Sequence, residues 1–388
     1  MTGFSHKTDR LPRPVRFLIT LIIGALGGAV AHAAGLPAGW LLGSMLATLA
    51  AVLAGFQVVM PNRLRDLTFF ILGVQAGSGV TPAVIGQLAI WPLSFAIQMI
   101  GVVFVCLATM FFLERVFKWD RETALFSSLP GALSFVLAAA SETRADMTRI
   151  TVLQTVRLFF LIACLVPLLG WLEGGDVVAE GRGAAPGGPF DYPLMIAVCA
   201  VLSWLGVLSR VPGGLILGAL IGSAVLHGAN IVSAGVPDVV AVPALISIGA
   251  LIGSRLRRED RSVLPQLLPA SVGAFAIGIS VSALSGIVAI WALGLDIGRV
   301  SLAYAPGALE ALTVLAYQFD IDPAYVAAHH VVRFVGIALL VPFLARRLPR
   351  RPSTLSDAAR AEGALPAAAR DTEASGQDED GQGGGHRG

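Results

Sequence analysis

One tetrapeptide occurs twice in this chain, 176 positions apart: Pro130-Gly131-Ala132-Leu133 and Pro306-Gly307-Ala308-Leu309. The register extends well beyond it. Gly73, Gly77 and Ser78 match Gly249, Gly253 and Ser254, Asp120 matches Asp296, Asp146 matches Asp322, and Arg157 matches Arg333. Upstream, Pro37, Gly39 and Gly43 match Pro212, Gly214 and Gly218, one residue out of that register. A unit of about 170 residues has therefore been duplicated. In a hydrophobic chain, such a duplication is the signature of many transporter folds, whose site forms where the halves meet.

The chain is hydrophobic enough for that reading. Apolar residues make up 55% of it and charged residues 13%, against about 25% charged in an average soluble protein. Mean hydropathy is +0.78, and apolar runs near the length needed to cross a bilayer recur throughout. The expected class is an all-α polytopic membrane protein whose partners are the lipid bilayer and a small-molecule solute. A net charge of +2 implies no nucleic-acid partner, because the basic residues gather at span ends as a topology signal. Homo-oligomerisation is left open. Cys106, Cys164 and Cys199 sit in apolar runs without metal-ligand spacing, and read as small hydrophobes rather than ligands or disulfides. No cofactor and no metal site is expected.

Five segments follow. Residues 1–14 form a basic N-terminus, 15–170 the first membrane repeat, 171–191 a linker, 192–347 the second repeat and 348–388 a tail. The start imitates a signal peptide, with Ala31-His32-Ala33 as a cleavage site. The span at Val15 to Val30 nevertheless has a counterpart around Met195 to Leu205, so it belongs to the fold. The tail is rich in Ala, Gly, Asp, Glu and Ser, and is expected to be disordered.

Each half shows six apolar elements. They lie near 15–33, 38–56, 64–78, 90–112, 123–140 and 148–170, then near 192–208, 213–233, 238–254, 268–292, 299–318 and 324–345. Loops rich in Lys and Arg stay cytoplasmic. That puts Lys7 to Arg16, Arg63 and Arg65, Arg115 to Arg121, Arg144 and Arg149, Arg210, Arg255 to Arg261 and Arg346 to Arg351 inside. The acidic linker and the loops at Asp296 and Asp320 go outside. All assignments hold only if the fifth element of each half, which contains the Pro-Gly pair, fails to cross. Five crossings per half is an odd number, so the halves would be inverted and both termini cytoplasmic, as suits a bacterial inner-membrane protein. Two alternatives stand beside this: twelve full crossings with parallel halves, or a non-crossing third element at Leu64 to Ser78.

The candidate substrate-binding residues are Pro130, Gly131, Ser134, Gln154 and Arg157 in the first half, and Pro306, Gly307, Glu310, His330 and Arg333 in the second. The arginines lie about ten residues into apolar helices, where charge is rare and functional by default. Gln154 and His330 precede them by three positions and His329 precedes Arg333 by four, so they share a face. Helix N-termini after the breaks attract anions. The chemistry suits a small anionic solute, with Glu310 or the histidine pair moving a proton. The structural alternative is that the arginines cap broken-helix carbonyls. His32 and His227 read as loop residues, and Asp146 and Asp322 as N-caps. Nothing here forms a catalytic grouping: no Walker loop, Rossmann fingerprint or Ser-His-Asp set stands in context, and Gly181 to Gly188 is a linker.

With Pro130-Gly-Ala-Leu-Ser, Pro306-Gly-Ala-Leu-Glu, the paired Asp, the Gln/His-x-x-Arg spacing and a Val-Pro ending, residues 12–347 resemble the AbrB-like bacterial membrane family, whose duplicated domain is called the AbrB duplication. The resemblance implies the labels its members carry, ammonia monooxygenase or membrane regulator of gene expression. The family motif typically ends Ser-Glu, whereas Phe135 follows Ser134 here. The small soluble DNA-binding regulator of similar name shares nothing with this chain. The favoured function is a transporter-like membrane protein. The alternative is a membrane-embedded regulator that senses a solute, and a monooxygenase ranks last for want of metal ligands.

Overall fold

Lone prolines at Pro167, Pro243 and Pro269 stay inside helices, but at Pro130 and Pro306 a missing N–H and a ring clash with the carbonyl four residues back are joined by a glycine, the weakest helix former after proline. The computed structural model describes residues 12–79, 91–130, 133–141, 143–172, 188, 190–209, 213–256, 258–307 and 309–345. It breaks the fifth element of both halves. The first half reads α1 (Arg13–Ala33), α2 (Gly39–Leu53), α3 (Asn62–Ser78), α4 (Trp91–Arg115), α5 (Arg121–Ser128), α6 (Leu133–Ala140) and α7 (Met147–Leu172). The second reads α8 (Asp191–Leu208), α9 (Gly214–Gly228), α10 (Asp238–Gly253), α11 (Leu264–Leu293), α12 (Ile297–Tyr304), α13 (Leu309–Gln318) and α14 (Pro323–Ala345). The elements expected at 123–140 and 299–318 are thus each two short helices. The expected tail, most of the linker, Arg210 and Gly131 lie outside the described residues.

Both broken elements fold back on themselves. In the first, the Arg144 amide donates to Glu122 Oε2 at 2.8 Å and the Asp146 amide to Thr123 Oγ1 at 2.8 Å. The exit of α6 is therefore tied to the entrance of α5. In the second, the Arg299 guanidinium at the entrance of α12 lies over the Tyr325 ring at 5.6 Å, at the start of α14. Aspartates punctuate these turns as expected. Asp120 accepts from the Thr123 amide at 2.9 Å. Asp146 accepts from Thr148 and Arg149 at 2.9 and 3.1 Å, and Asp322 from Ala324 and Tyr325 at 3.0 and 3.1 Å.

The two hairpins open at opposite ends of the bundle. Helix α4 spans 25 residues, or roughly 37 Å. Its first turn holds Trp91 and Ser94 against Tyr325 and His329, at the mouth of the second hairpin. Its last residue, Arg115, leads within six residues to the start of α5, the mouth of the first.

Glycines let the remaining helices interlock across the halves. A Cβ on Gly73 would lie 2.5 Å from the Ile216 carbonyl oxygen, and one on Gly249 would lie 2.5 Å from that of Leu41. One turn on, Gly77 meets Leu220 and Gly253 meets Met45. Contacts that advance together mean that α3 runs parallel to α9, and α2 parallel to α10. By contrast Gly28 meets Trp40 while Gly24 meets Ser44, so α1 and α2 are antiparallel. The repeated glycines thus serve backbone approach.

Among the described residues, α1, α4, α7, α8, α11 and α14 are long and apolar enough to cross a membrane. Helix α7 is mostly buried, whereas α1, α4, α8 and α11 turn residues such as Leu26, Phe104, Trp204 and Trp291 outward. Replacing Gly73 by Leu should therefore unseat α3 from α9. Overpacking of this kind costs about 1–3 kcal/mol or more. The thermal midpoint in detergent should fall clearly, while Gly278→Ala, with its nearest neighbour at 3.8 Å, should leave it unchanged.

Candidate functional site

Arg157 and Arg333 each lie ten residues into their helices, about 15 Å along the axis. That is half the thickness of a hydrocarbon core of roughly 30 Å. Both are buried, at 4% and 3% exposure. Each reaches the carbonyls left open by its Pro-Gly break. Arg157 donates to the Leu129 carbonyl at 3.1 Å. Arg333 donates to the Ala305 and Gly307 carbonyls, both at 2.6 Å. Leu129 and Ala305 are equivalent positions, each at the C-terminal end of a half-helix, where positive charge is favoured. The capping role raised from the sequence is therefore real. It does not exhaust the side chain, since a guanidinium has five N–H donors.

The residues one turn earlier also correspond. Gln154 Nε2 donates to the Phe126 carbonyl at 3.2 Å. His330 takes the matching place beside the Leu302 backbone, yet among the described residues neither of its ring nitrogens reaches hydrogen-bond geometry. Pro130, Pro306 and Gly307 are buried at the hairpin tips. Ser134 lies in α6, but its side chain and all of Gly131 fall outside the described residues.

The tips meet. Cys106 on α4 is close enough to both guanidiniums to feel their charge, with the Ser128 side chain against its thiol, and the two arginines feel each other. Among the described residues no carboxylate pairs with either arginine. Two buried positive charges thus lie on the side of α4 that carries Cys106. Glu310 stands apart from them, in the first turn of α13. Its electrostatic partner is Arg255, just past the end of α10. Burial holds the Arg255 guanidinium below its ordinary value, and the Glu310 charge pulls the other way.

A polar cluster escaped the sequence reading. His329 is fully buried, and its Nδ1 donates to the Tyr325 carbonyl at 2.8 Å. A carbonyl only accepts, so the neutral ring accepts at Nε2, from Ser94 Oγ at 2.8 Å. Ser94 Oγ in turn meets the Tyr325 hydroxyl, while the Tyr304 hydroxyl donates to the Ser94 carbonyl at 2.8 Å. The signal was present in the spacing: Asp322, Tyr325, His329 and Arg333 fall three or four apart, on one stripe of α14. Among the described residues the first hairpin has nothing comparable around it. Its equivalents are Ala270, Ser128, Arg149 and Leu153, and Leu153 packs with Ala270 in an apolar cluster. Among the described residues no three His, Cys, Asp or Glu side chains converge.

His32 and His227 are not loop residues. Both sit in last helical turns, His32 stacked on Trp40 at 5.1 Å between ring centroids and His227 facing the Ser223 carbonyl at 2.8 Å.

Comparison with known proteins agrees with the motifs. The family profile described as "Transition state regulatory protein AbrB" matches residues 40–349. The Escherichia coli K12 protein named "Putative regulator AbrB" is 26% identical over 289 residues, covering 71% of this chain and 80% of that one. The Bacillus subtilis 168 protein named "Uncharacterized protein YhjN" is 23% identical over 292 residues, covering 70% and 76%. With its all-helical fold, its paired Pro-Gly breaks and a match across most of its length, the chain belongs to the AbrB family.

Proposed function

We propose that this chain is a transporter-like protein of the bacterial inner membrane, which moves or binds a small anionic solute between two inverted repeats. The observation that carries the reading is the pair of buried guanidiniums at the hairpin tips, without a carboxylate partner among the described residues. Such charge at mid-depth is costly unless compensated, and an anion would compensate both arginines at once. The opposed hairpin mouths and the parallel pairing of α2 with α10 and α3 with α9 support inversion. Loop charge supports the orientation. Five basic residues, Arg115, Lys118, Arg121, Arg144 and Arg149, gather at the first mouth, whereas Arg299 alone stands at the second, beside Asp296, Asp320 and Asp322. Both termini would then be cytoplasmic.

The division of labour follows from the asymmetry between halves. At the second hairpin, the Tyr325–Ser94–His329 chain, with Ser94 supplied by α4 of the first half, and Glu310 provide groups that can pass or hold a proton as one hairpin rocks against the scaffold. The second reading is a membrane-embedded regulator that binds the solute without moving it. What favours it is the regulator wording in the name of the Escherichia coli relative. A catalytic role is not proposed.

Thermal shift of the purified protein against acetate, succinate, citrate, phosphate and sulfate tests the anion site. At a hundredfold excess over Kd, the bound anion should add about 2.7 kcal/mol of stability. Arg333→Ala should insert in the membrane and lose that response, while Arg333→Lys should retain part of it. An unchanged response in Arg333→Ala would leave the arginines as structural caps alone. Flux assays in proteoliposomes then separate the two readings: saturable uptake of the stabilising anion is expected, and binding with no uptake would favour the sensor.

A further inference from the structure

A cleft of about 790 Å³ opens where the start of α1, the end of α2, the start of α3 and the end of α10 come together. Its rim carries Arg13 and Arg16, and its walls include Phe17, Val52, Phe56 and Leu256. Arg16 is anchored to Gln57 through Nη1, and its Nε is buried without a hydrogen-bond partner among the described residues. Helix α1 forms one wall, and its outward side is a lipid-facing stripe of Leu18, Ile22, Leu26 and Val30. A basic rim, an apolar interior and a lipid-facing wall describe a two-part ligand, an acidic head with an aliphatic tail.

We propose that this cleft binds an anionic phospholipid of the leaflet that faces the start of α1, with its phosphate between Arg13 and Arg16 and an acyl chain against Phe17, Val52 and Leu256. The charged stretches nearest each end of the chain fit the cleft less well. The preceding residues bring Lys7 and Arg10, of the same sign as the rim. The acidic stretch at Asp378-Glu379-Asp380 has no aliphatic or aromatic neighbour to fill the interior. Basic pockets at span ends recognise acidic head groups through charge and fork-shaped hydrogen bonds. The site is independent of the anion site at the hairpin tips.

Native mass spectrometry of the full chain in a neutral detergent tests the assignment, with phosphatidylglycerol, phosphatidylcholine of matched chains and soluble glycerol phosphate as probes. Phosphatidylglycerol should bind roughly thirtyfold more tightly than phosphatidylcholine, the effect of two basic groups at a membrane surface. Arg13→Gln with Arg16→Gln should abolish the preference. Leu256→Trp, which fills the cleft and keeps both charges, should weaken phosphatidylglycerol binding about tenfold or more. Equal binding of the two lipids, or an unchanged preference in the double variant, would overturn the proposal. Glycerol phosphate binding as tightly as the lipid would also overturn it, by making the site one for free phosphate.

Discussion

The hydrogen bonds from Arg157 and Arg333 to the carbonyls at the Pro-Gly breaks hold the architecture together. Each partner would be untenable alone. An open carbonyl in a lipid environment costs several kcal/mol, and an intramembrane guanidinium without acceptors is also costly. Joined, they turn a broken element into a hairpin of fixed depth. The arginine sits ten residues down its own helix, so the break it clasps has to sit there too. Two such hairpins, entering from opposite ends of α4, bring their tips and both charges to Cys106.

Both halves carry this clasp, and around it they are unequal. Gln154 fills its hydrogen bond to the Phe126 carbonyl, whereas His330 in the equivalent place only lies beside the Leu302 backbone, short of hydrogen-bond geometry among the described residues. Ala270 and Leu153 pack as hydrocarbon, whereas Ser94 and His329 pair at 2.8 Å. The Arg255–Glu310 pair has no counterpart either, because Gly79 and Ser134 occupy those positions. The surroundings of the first hairpin are mostly apolar, whereas the second hairpin gathers His329, Tyr325, Tyr304 and the first half's Ser94.

Much of this was legible in the sequence, for physical reasons. Proline disfavours helix continuation and the glycine after it weakens the helix further, so the two Pro-Gly pairs marked the breaks, whereas Pro167, Pro243 and Pro269 stay inside helices. Counting loop charges pointed to fifth elements that turn back, and the ties from Glu122 to Arg144 and from Thr123 to Asp146 show the turn. The aspartate caps were readable because capping is local. The Ser94 cluster was not, since its bonds join residues 210 to 235 positions apart and helical periodicity does not say which faces meet. His32 and His227 were misread by about a turn. Their helices persist until Gly35 and Asn230 adopt positive φ, of 70° and 55°.

The central claim is that the two hairpins open to opposite sides of the membrane. Its most direct test uses a chain lacking Cys106, Cys164 and Cys199, with a single cysteine placed at exposed Ser141 or exposed Asp296. Intact cells are treated with a membrane-impermeant maleimide that reaches only the outer face. Asp296→Cys should react at once, and Ser141→Cys only after the membrane is opened. Labelling of both positions from the same side would contradict the account.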